Sequence, residues 1–241
     1  MNPSYFVTYW ATRVTLATYF GWRVFNPERV PATGPVILAA NHASFMDPLL
    51  VGASVHRDIH YLARASLFHN PLLAAALRSW NVVPVDRDGG SGTGLKAIMD
   101  RLAAEGGIIL FPEGTRTTDG HLQPARAGIG LTVIKSSAAV VPVRVFGTFA
   151  AFGRHRRFPA PRRVAVKFAP PMDFAALRAE ARNCSRARLK AIYQQVADEL
   201  MAVIARLQPA TDVAEFPPRR GGLAAPAGGG TTEVDRASHS P

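Results

Sequence analysis

The sequence predicts an α/β protein: a mixed, largely parallel central sheet flanked by helices, with an N-terminal membrane-associated helix. Three observations predict it. Short apolar runs of strand length alternate with longer segments of helical periodicity, the pattern of a layered α/β sheet. One run, Ile108-Ile109-Leu110-Phe111, is continuously apolar, as a strand buried on both faces must be. The segment Tyr5 to Phe25 is long, apolar and dense in Tyr and Trp, as at a membrane interface.

That first segment reads as one helix. It is long enough to span a bilayer, but Arg13 sits in its middle and Arg23 near its end. A helix lying in one leaflet fits these charges better than a spanning one. A helix packed on the protein's own core is the other open reading. No charged stretch precedes it and no small-residue cleavage site follows, so it does not read as a secretory signal.

Asn26 to Pro35, with its prolines and glycine, reads as a connector. Val36 to Ala40 is the first expected strand. A helix is expected from about Pro48 to Val55, a short strand over Asp58 to Ala63, and a helix over Phe68 to Trp80. Val82 to Val85 reads as a strand and Gly89 to Gly94 as a flexible loop. Leu95, Ile98, Met99 and Leu102 then mark a helix that Gly106-Gly107 ends. After the 108–111 strand, Gly128 to Ser136 reads as helical, Val140 to Val145 as a strand and Val164 to Phe168 as an edge strand. A long helix follows over Arg186 to Leu207, its apolar stripe running through Ile192, Val196 and Leu200. From Pro209 the chain turns to Pro, Gly, Ala and polar residues and reads as a disordered tail. The expected organisation is a membrane-associated helix and connector over 1–30, an α/β domain over 31–208 and a tail over 209–241.

The 241 residues suffice for one sizeable core, and 48% hydrophobic residues exclude a disordered chain. A formal net charge of +11 favours anionic partners: nucleic acid, anionic lipid or phosphorylated small molecules. The tail holds three Arg against four Asp and Glu, so the excess charge belongs to the folded part. The single cysteine, Cys184, leaves no internal disulfide and fits a reducing, cytoplasm-facing location. No Cys/His cluster has zinc-ligand spacing, and no nucleic-acid motif accompanies the arginine clusters at 154–157, 162–163 and 182–190. Those clusters suit an anionic membrane surface equally well.

Two segments carry chemistry. In Asn41-His42-Ala43-Ser44-Phe45-Met46-Asp47, His42 falls in the turn after a strand, with Asp47 five positions on, before Pro48. If the turn folds back, the carboxylate can hold one imidazole nitrogen and free the other as a base for an alcohol. The other reading is that Asp47 serves only as the helix cap. The second segment, Glu113-Gly114-Thr115-Arg116, joins a bare backbone, a hydroxyl and a guanidinium suited to phosphate, with Glu113 placed to orient Arg116 or a backbone amide. Arg87 and Arg126 could reach the same pocket. Both segments follow apolar strands, and open α/β sheets bind ligands at the carboxyl ends of their strands. There is no Gly-x-Ser-x-Gly elbow, so direct attack by the alcohol is the simpler route for acyl transfer.

Taken together these stretches resemble the glycerophospholipid acyltransferases with the HxxxxD motif, and within them the bacterial lysophosphatidic acid acyltransferases. NHASFMD carries HxxxxD. Val83 to Arg87, FPEGTRT at 111–117 and Val140 to Val143 look like the family's later blocks, in the same order. The resemblance covers roughly residues 30 to 170. It implies that His42 is the base and Asp47 its orienting partner. It also implies that Arg116 and the main chain at Gly114 hold the acceptor's phosphate, that Arg87 assists, and that Pro142 shapes the acyl pocket. Glu113, Thr115 and Arg126 are expected around the same substrate. The donor would be acyl-CoA or acyl carrier protein, with no metal and no bound cofactor. The acceptor would be a lysophospholipid, another lyso-lipid head group being the alternative. The implied location is the cytoplasmic face of the inner membrane. Arg64 and Arg126 stand where many relatives have lysine, which exchanges a point charge for a fork.

Overall fold

The computed structural model describes residues 3–85 and 91–208. Arg87 and the 209–241 tail lie outside them. Eight α-helices and seven strands are found among the described residues: α1 (Pro3–Tyr19), β1 (Arg23–Phe25), β2 (Val36–Ala40), α2 (Asp47–Ala53), β3 (Ile59–Arg64), α3 (Pro71–Ser79), β4 (Val82–Val85), α4 (Ser91–Ala103), β5 (Gly107–Leu110), α5 (Ala127–Lys135), β6 (Ala139–Phe146), α6 (Thr148–Phe152), β7 (Ala165–Phe168), α7 (Ala175–Glu180) and α8 (Arg186–Arg206).

The strands form one sheet in the order β1-β7-β6-β2-β5-β3-β4. Every neighbouring pair is parallel except β6 with β7. The sheet is therefore mixed and largely parallel, with helices on both faces. β2 lies at its centre, and all five of its residues are buried. Alternation along β2 divides the core in two. Val36, Leu38 and Ala40 pack with Leu50, Val51 and the inner side of α1, while Ile37 and Ala39 pack with Ile98, Ile129, Val133, Ile192 and Val196 from α4, α5 and α8. The approach of α5 to α8 depends on Gly130, where a Cβ would come within 1.9 Å of the Tyr193 carbonyl oxygen.

The expected N-terminal helix is corrected in two respects. It stops at Tyr19, and Arg23–Phe25 instead form β1, paired with β7. Gly21 ends the helix with a φ of +57°, a conformation glycine adopts without strain. The inner face of α1 is also committed to the protein itself. Tyr5, Tyr9 and Leu16 are buried, and Tyr9 Oη donates to the Val55 carbonyl. Arg13 donates to the Ala53 carbonyl at 2.6 Å, so protein groups satisfy the charge that argued against a spanning helix. Among the described residues no helix is long and apolar enough to cross a membrane. The outer face of α1 nonetheless exposes Phe6, Val7, Trp10 and Val14.

The sheet is not continuous to its top edge. β3 pairs with β5 only at Ile59↔Gly107 and His60↔Ile108. From Tyr61 onward β3 pairs with β4 alone, while β5 stays with β2 as far as Leu110. A cleft therefore opens between β3 and β5 at the carboxyl ends of the strands.

Candidate active site

Because β2 and β5 are adjacent and parallel, the loops that follow them emerge side by side. Two hydrogen bonds clamp these loops together. The His42 N–H donates to Glu113 Oε1 at 3.2 Å, and the Thr117 N–H donates to the His42 carbonyl at 2.9 Å. Asn41 anchors the turn to β6 on the other side, its Oδ1 accepting the Val145 N–H at 2.8 Å.

Within the turn the chain folds back so that Asp47, fully buried, faces His42. Asp47 Oδ2 accepts the N–H groups of Ala43 and Ser44, each at 2.7 Å, and lies 2.9 Å from His42 Nδ1. Asp47 is the first residue of α2 and its carboxylate does not cap that helix; the N-cap position is Met46, which makes no side-chain cap. An oxygen already accepting two backbone N–H groups acts as an acceptor toward the ring as well. The ring proton therefore belongs on Nδ1, leaving Nε2 as the nitrogen Asp47 does not engage. The His42 ring stacks on Phe111 at 3.8 Å between centroids, which fixes its plane.

Glu113 is 2% exposed. Burial lifts its carboxyl from the ordinary 4.5 to about 7, with the nearby Asp47 adding to the rise and the His42 N–H opposing it. Its Oε2 has no hydrogen-bond partner among the described residues. Its Oε1 accepts the main-chain N–H of His42.

Gly114 has a φ of +70°, and Arg126 passes over it so closely that a Cβ would lie 3.0 Å from Arg126 Cδ. The backbone conformation is the one that favours glycine. Arg116 places its guanidinium over the Phe45 ring, 3.4 Å from the centroid. Thr115, between Gly114 and Arg116, is half-buried.

A cavity of about 390 Å³ opens beside His42 and runs into the cleft between β3 and β5. Its mouth carries His42, Gly114 and Arg126, and its walls are apolar, with Leu62, Ile98 and Leu110 among them. Tyr61 with Leu62, and Ile109 with Leu110, are successive residues pointing to opposite faces of the sheet, so the cavity enters the sheet itself. Pro142, which the resemblance placed in the acyl pocket, is buried mid-strand in β6 and is not on this wall. Its carbonyl accepts the Ala169 N–H just past the end of β7, so its missing N–H faces a place where strand pairing has stopped. Arg64 lies exposed at the end of β3, away from the cavity wall. Phe111, Phe45, Thr117 and the β3/β5 cleft were not singled out from the sequence. Each matters through a partner distant along the chain, and no local signal marks it.

The site's surroundings can be compared with known proteins. A family model described as Acyltransferase matches residues 21–146. A 1-acyl-sn-glycerol-3-phosphate acyltransferase of Bacillus subtilis is 30% identical over 139 residues, covering 57% of this chain and 68% of that one. A chloroplastic 1-acyl-sn-glycerol-3-phosphate acyltransferase of Arabidopsis thaliana is 29% identical over 142 residues, covering 58% of this chain and only 39% of that one. In fold the chain is similar to the crystal structure of the 1-acyl-sn-glycerophosphate acyltransferase PlsC from Thermotoga maritima. The TM-score is 0.65 at 22% identity, over 85% of this chain and 81% of that one. The family match takes in both loops that meet at His42 and spans more than half of the sequence, and on that ground the chain belongs to the acyltransferase family.

Proposed function

We propose that this acyltransferase moves a fatty acyl chain from an acyl thioester to the free hydroxyl of lysophosphatidic acid, giving phosphatidic acid. The observation that carries the reading is the His42 Nδ1 to Asp47 Oδ2 contact at 2.9 Å, on a ring that borders an apolar cavity. The acceptor hydroxyl gives its proton to His42 Nε2 as its oxygen bonds to the thioester carbonyl carbon. Collapse of the tetrahedral intermediate breaks the carbon–sulfur bond, and the imidazolium returns the proton to the leaving thiolate. Asp47 holds the tautomer and orientation of the ring through both steps. Arg116 and Arg126 hold the acceptor's phosphate with the main chain at Gly114, with Thr115 at the same turn and Arg87 assisting. The acyl chain lies in the cleft between β3 and β5. Catalytic gain comes from two substrates held in line with one base.

The protein works at an anionic membrane surface on the cytoplasmic face of the inner membrane. The outward residues Phe6, Val7, Trp10 and Val14 of α1 enter the interface, and the net charge of +11 draws the protein to acidic lipid. The test is to supply purified protein with lysophosphatidic acid and a panel of other lyso-lipids, using acyl-CoA and acyl carrier protein donors in parallel. Lysophosphatidic acid is expected to be esterified fastest, and His42→Ala to abolish turnover. Faster use of an acceptor lacking the phosphomonoester would overturn the acceptor assignment.

A further inference from the structure

Phe45 is 52% exposed, although it stands two residues before the fully buried Asp47. It belongs to neither half of the apolar core, and its ring meets two groups near the site instead. One is the Arg116 guanidinium, whose Cζ lies 3.4 Å from the ring centroid, and the other is the Phe152 ring, 5.4 Å away. At 3.4 Å the guanidinium must lie flat on the ring, because turned edge-on it would drive a nitrogen, about 1.3 Å from Cζ, into the aromatic face. A flat guanidinium keeps its N–H donors in its own plane, so the stacking does not use the fork that suits a phosphate. The backbone that carries Phe45 is itself held. Asp47 Oδ2 accepts the Ala43 and Ser44 N–H groups, Ser44 Oγ donates to the Phe152 carbonyl at 2.7 Å, and the Met46 N–H donates to Ser44 Oγ at 3.1 Å.

We infer that Phe45 is a positioning residue for the acceptor: its ring seats the Arg116 guanidinium and so sets the distance from the bound phosphate to His42. The turn that holds the base thereby also holds the seat of the phosphate ligand, and Asp47 steadies both. The inference rests on the proposed phosphate role of Arg116. A long arginine side chain loses rotamer freedom when it takes up a ligand, and a seat that orders it beforehand lowers that cost of binding. A cation over an aromatic face changes an equilibrium by about 2- to 30-fold, which sets the size of effect to expect.

The experiment measures kcat and KM for lysophosphatidic acid and for monoacylglycerol, which offers a hydroxyl without the phosphate. The proteins are wild type, Phe45→Leu, Phe45→Tyr, Arg116→Ala and the double variant Phe45→Leu/Arg116→Ala. Phe45→Leu should raise KM for lysophosphatidic acid by about 2- to 30-fold with kcat little changed, and should leave monoacylglycerol unaffected. Phe45→Tyr keeps the aromatic face and should behave as wild type. The double variant should be no worse than Arg116→Ala, because the ring acts only through the guanidinium. Phe45→Met, which keeps the bulk without the ring, decides the matter if Phe45→Leu does not give a native circular dichroism spectrum. Additive losses in the double variant, equal harm to both acceptors, or an unchanged KM in Phe45→Leu overturns the inference. If Arg116→Ala is selective for the phosphate-bearing acceptor and Phe45→Leu is not, the seat is wrong and the phosphate site stands. If Arg116→Ala shows no such selectivity, the phosphate assignment falls and the seat falls with it.

Discussion

Replacing Glu113 by Gln tests the electrostatics of the two-loop junction directly. The carboxyl is 2% exposed, one oxygen accepts the His42 N–H, and the other lacks a partner among the described residues. Burial raises its pKa from 4.5 to about 7. The folded-state value lies above the unfolded one, so the folded protein keeps a proton that the unfolded chain releases between pH 4.5 and 7. Stability should therefore fall as pH rises through that window, by up to ~1.4 kcal/mol per unit and about 3 kcal/mol in all. Below the window there is no penalty, and above it the penalty is fully present. Gln cannot ionise, has nearly the same shape, and retains an oxygen for the His42 N–H. The assay is guanidinium denaturation of both proteins at a series of pH values from 4 to 8.5, taking the difference at each pH so that all other titrations cancel. Glu113→Gln should gain on wild type steadily from pH 4.5 to 7 and then hold its lead. A difference that stays flat with pH, or that moves in favour of wild type as pH rises, would refute the argument. Activity provides a second view: if the side chain serves to hold His42, Glu113→Gln should remain active at pH 6 where Glu113→Ala does not.

His42→Ala should remove nearly all acyl transfer without altering the circular dichroism spectrum; activity near wild type would exclude His42 as the base. Asp47→Asn should lower kcat by about 10² to 10⁴, the range expected when an orienting carboxylate is lost and the imidazole tautomer is set free. Because Asp47 also accepts two backbone N–H groups, that variant should unfold at lower denaturant, by about 1 kcal/mol for each bond that loses its charge assistance. Arg116→Ala should raise KM for lysophosphatidic acid, with Arg116→Lys intermediate, and should leave an acceptor without phosphate little affected; equal harm to both acceptors would assign the arginine to structure or to the donor. Trp10→Glu together with Phe6→Glu should weaken sedimentation with anionic vesicles while leaving turnover of a detergent-dispersed acceptor unchanged; unchanged vesicle binding would remove α1 from the docking surface.

The central strands were legible because their signal is local. Val36 to Ala40 and Ile108 to Phe111 are unbroken apolar runs, and both prove to be strands with buried walls on either side, apart from Phe111 at the loop boundary. The periodic stripe of Ile192, Val196 and Leu200 likewise announced α8. The short elements were less legible. Arg23–Phe25 looks like the continuation of a helix in the sequence, since three residues carry no period of their own and their pairing partner, β7, lies about 140 residues away in the chain. The five-residue α6 and six-residue α7 leave no sequence signal, for the same want of periodicity.

At the site, sequence determined which groups are available: an imidazole and a carboxylate five positions apart in one turn, and a glutamate, glycine, threonine and arginine after the neighbouring apolar run. Strand-to-loop order was enough to expect the two segments at one end of the sheet. Whether Asp47 capped a helix or held the imidazole stayed open, because both uses need the same residue before the same proline. Tertiary structure decided it by turning the carboxylate back onto His42 and the N–H groups of Ala43 and Ser44. It also placed Pro142 mid-strand in β6, off the wall of this cavity, set Phe111 beneath His42 and Phe45 beneath Arg116, and parted β3 from β5 to make the cavity. Periodicity and turn chemistry are properties of neighbouring residues and are written locally. The place where two strands separate, and the side chains that then meet across the gap, depend on pairing between distant segments, which exists only once the chain has folded.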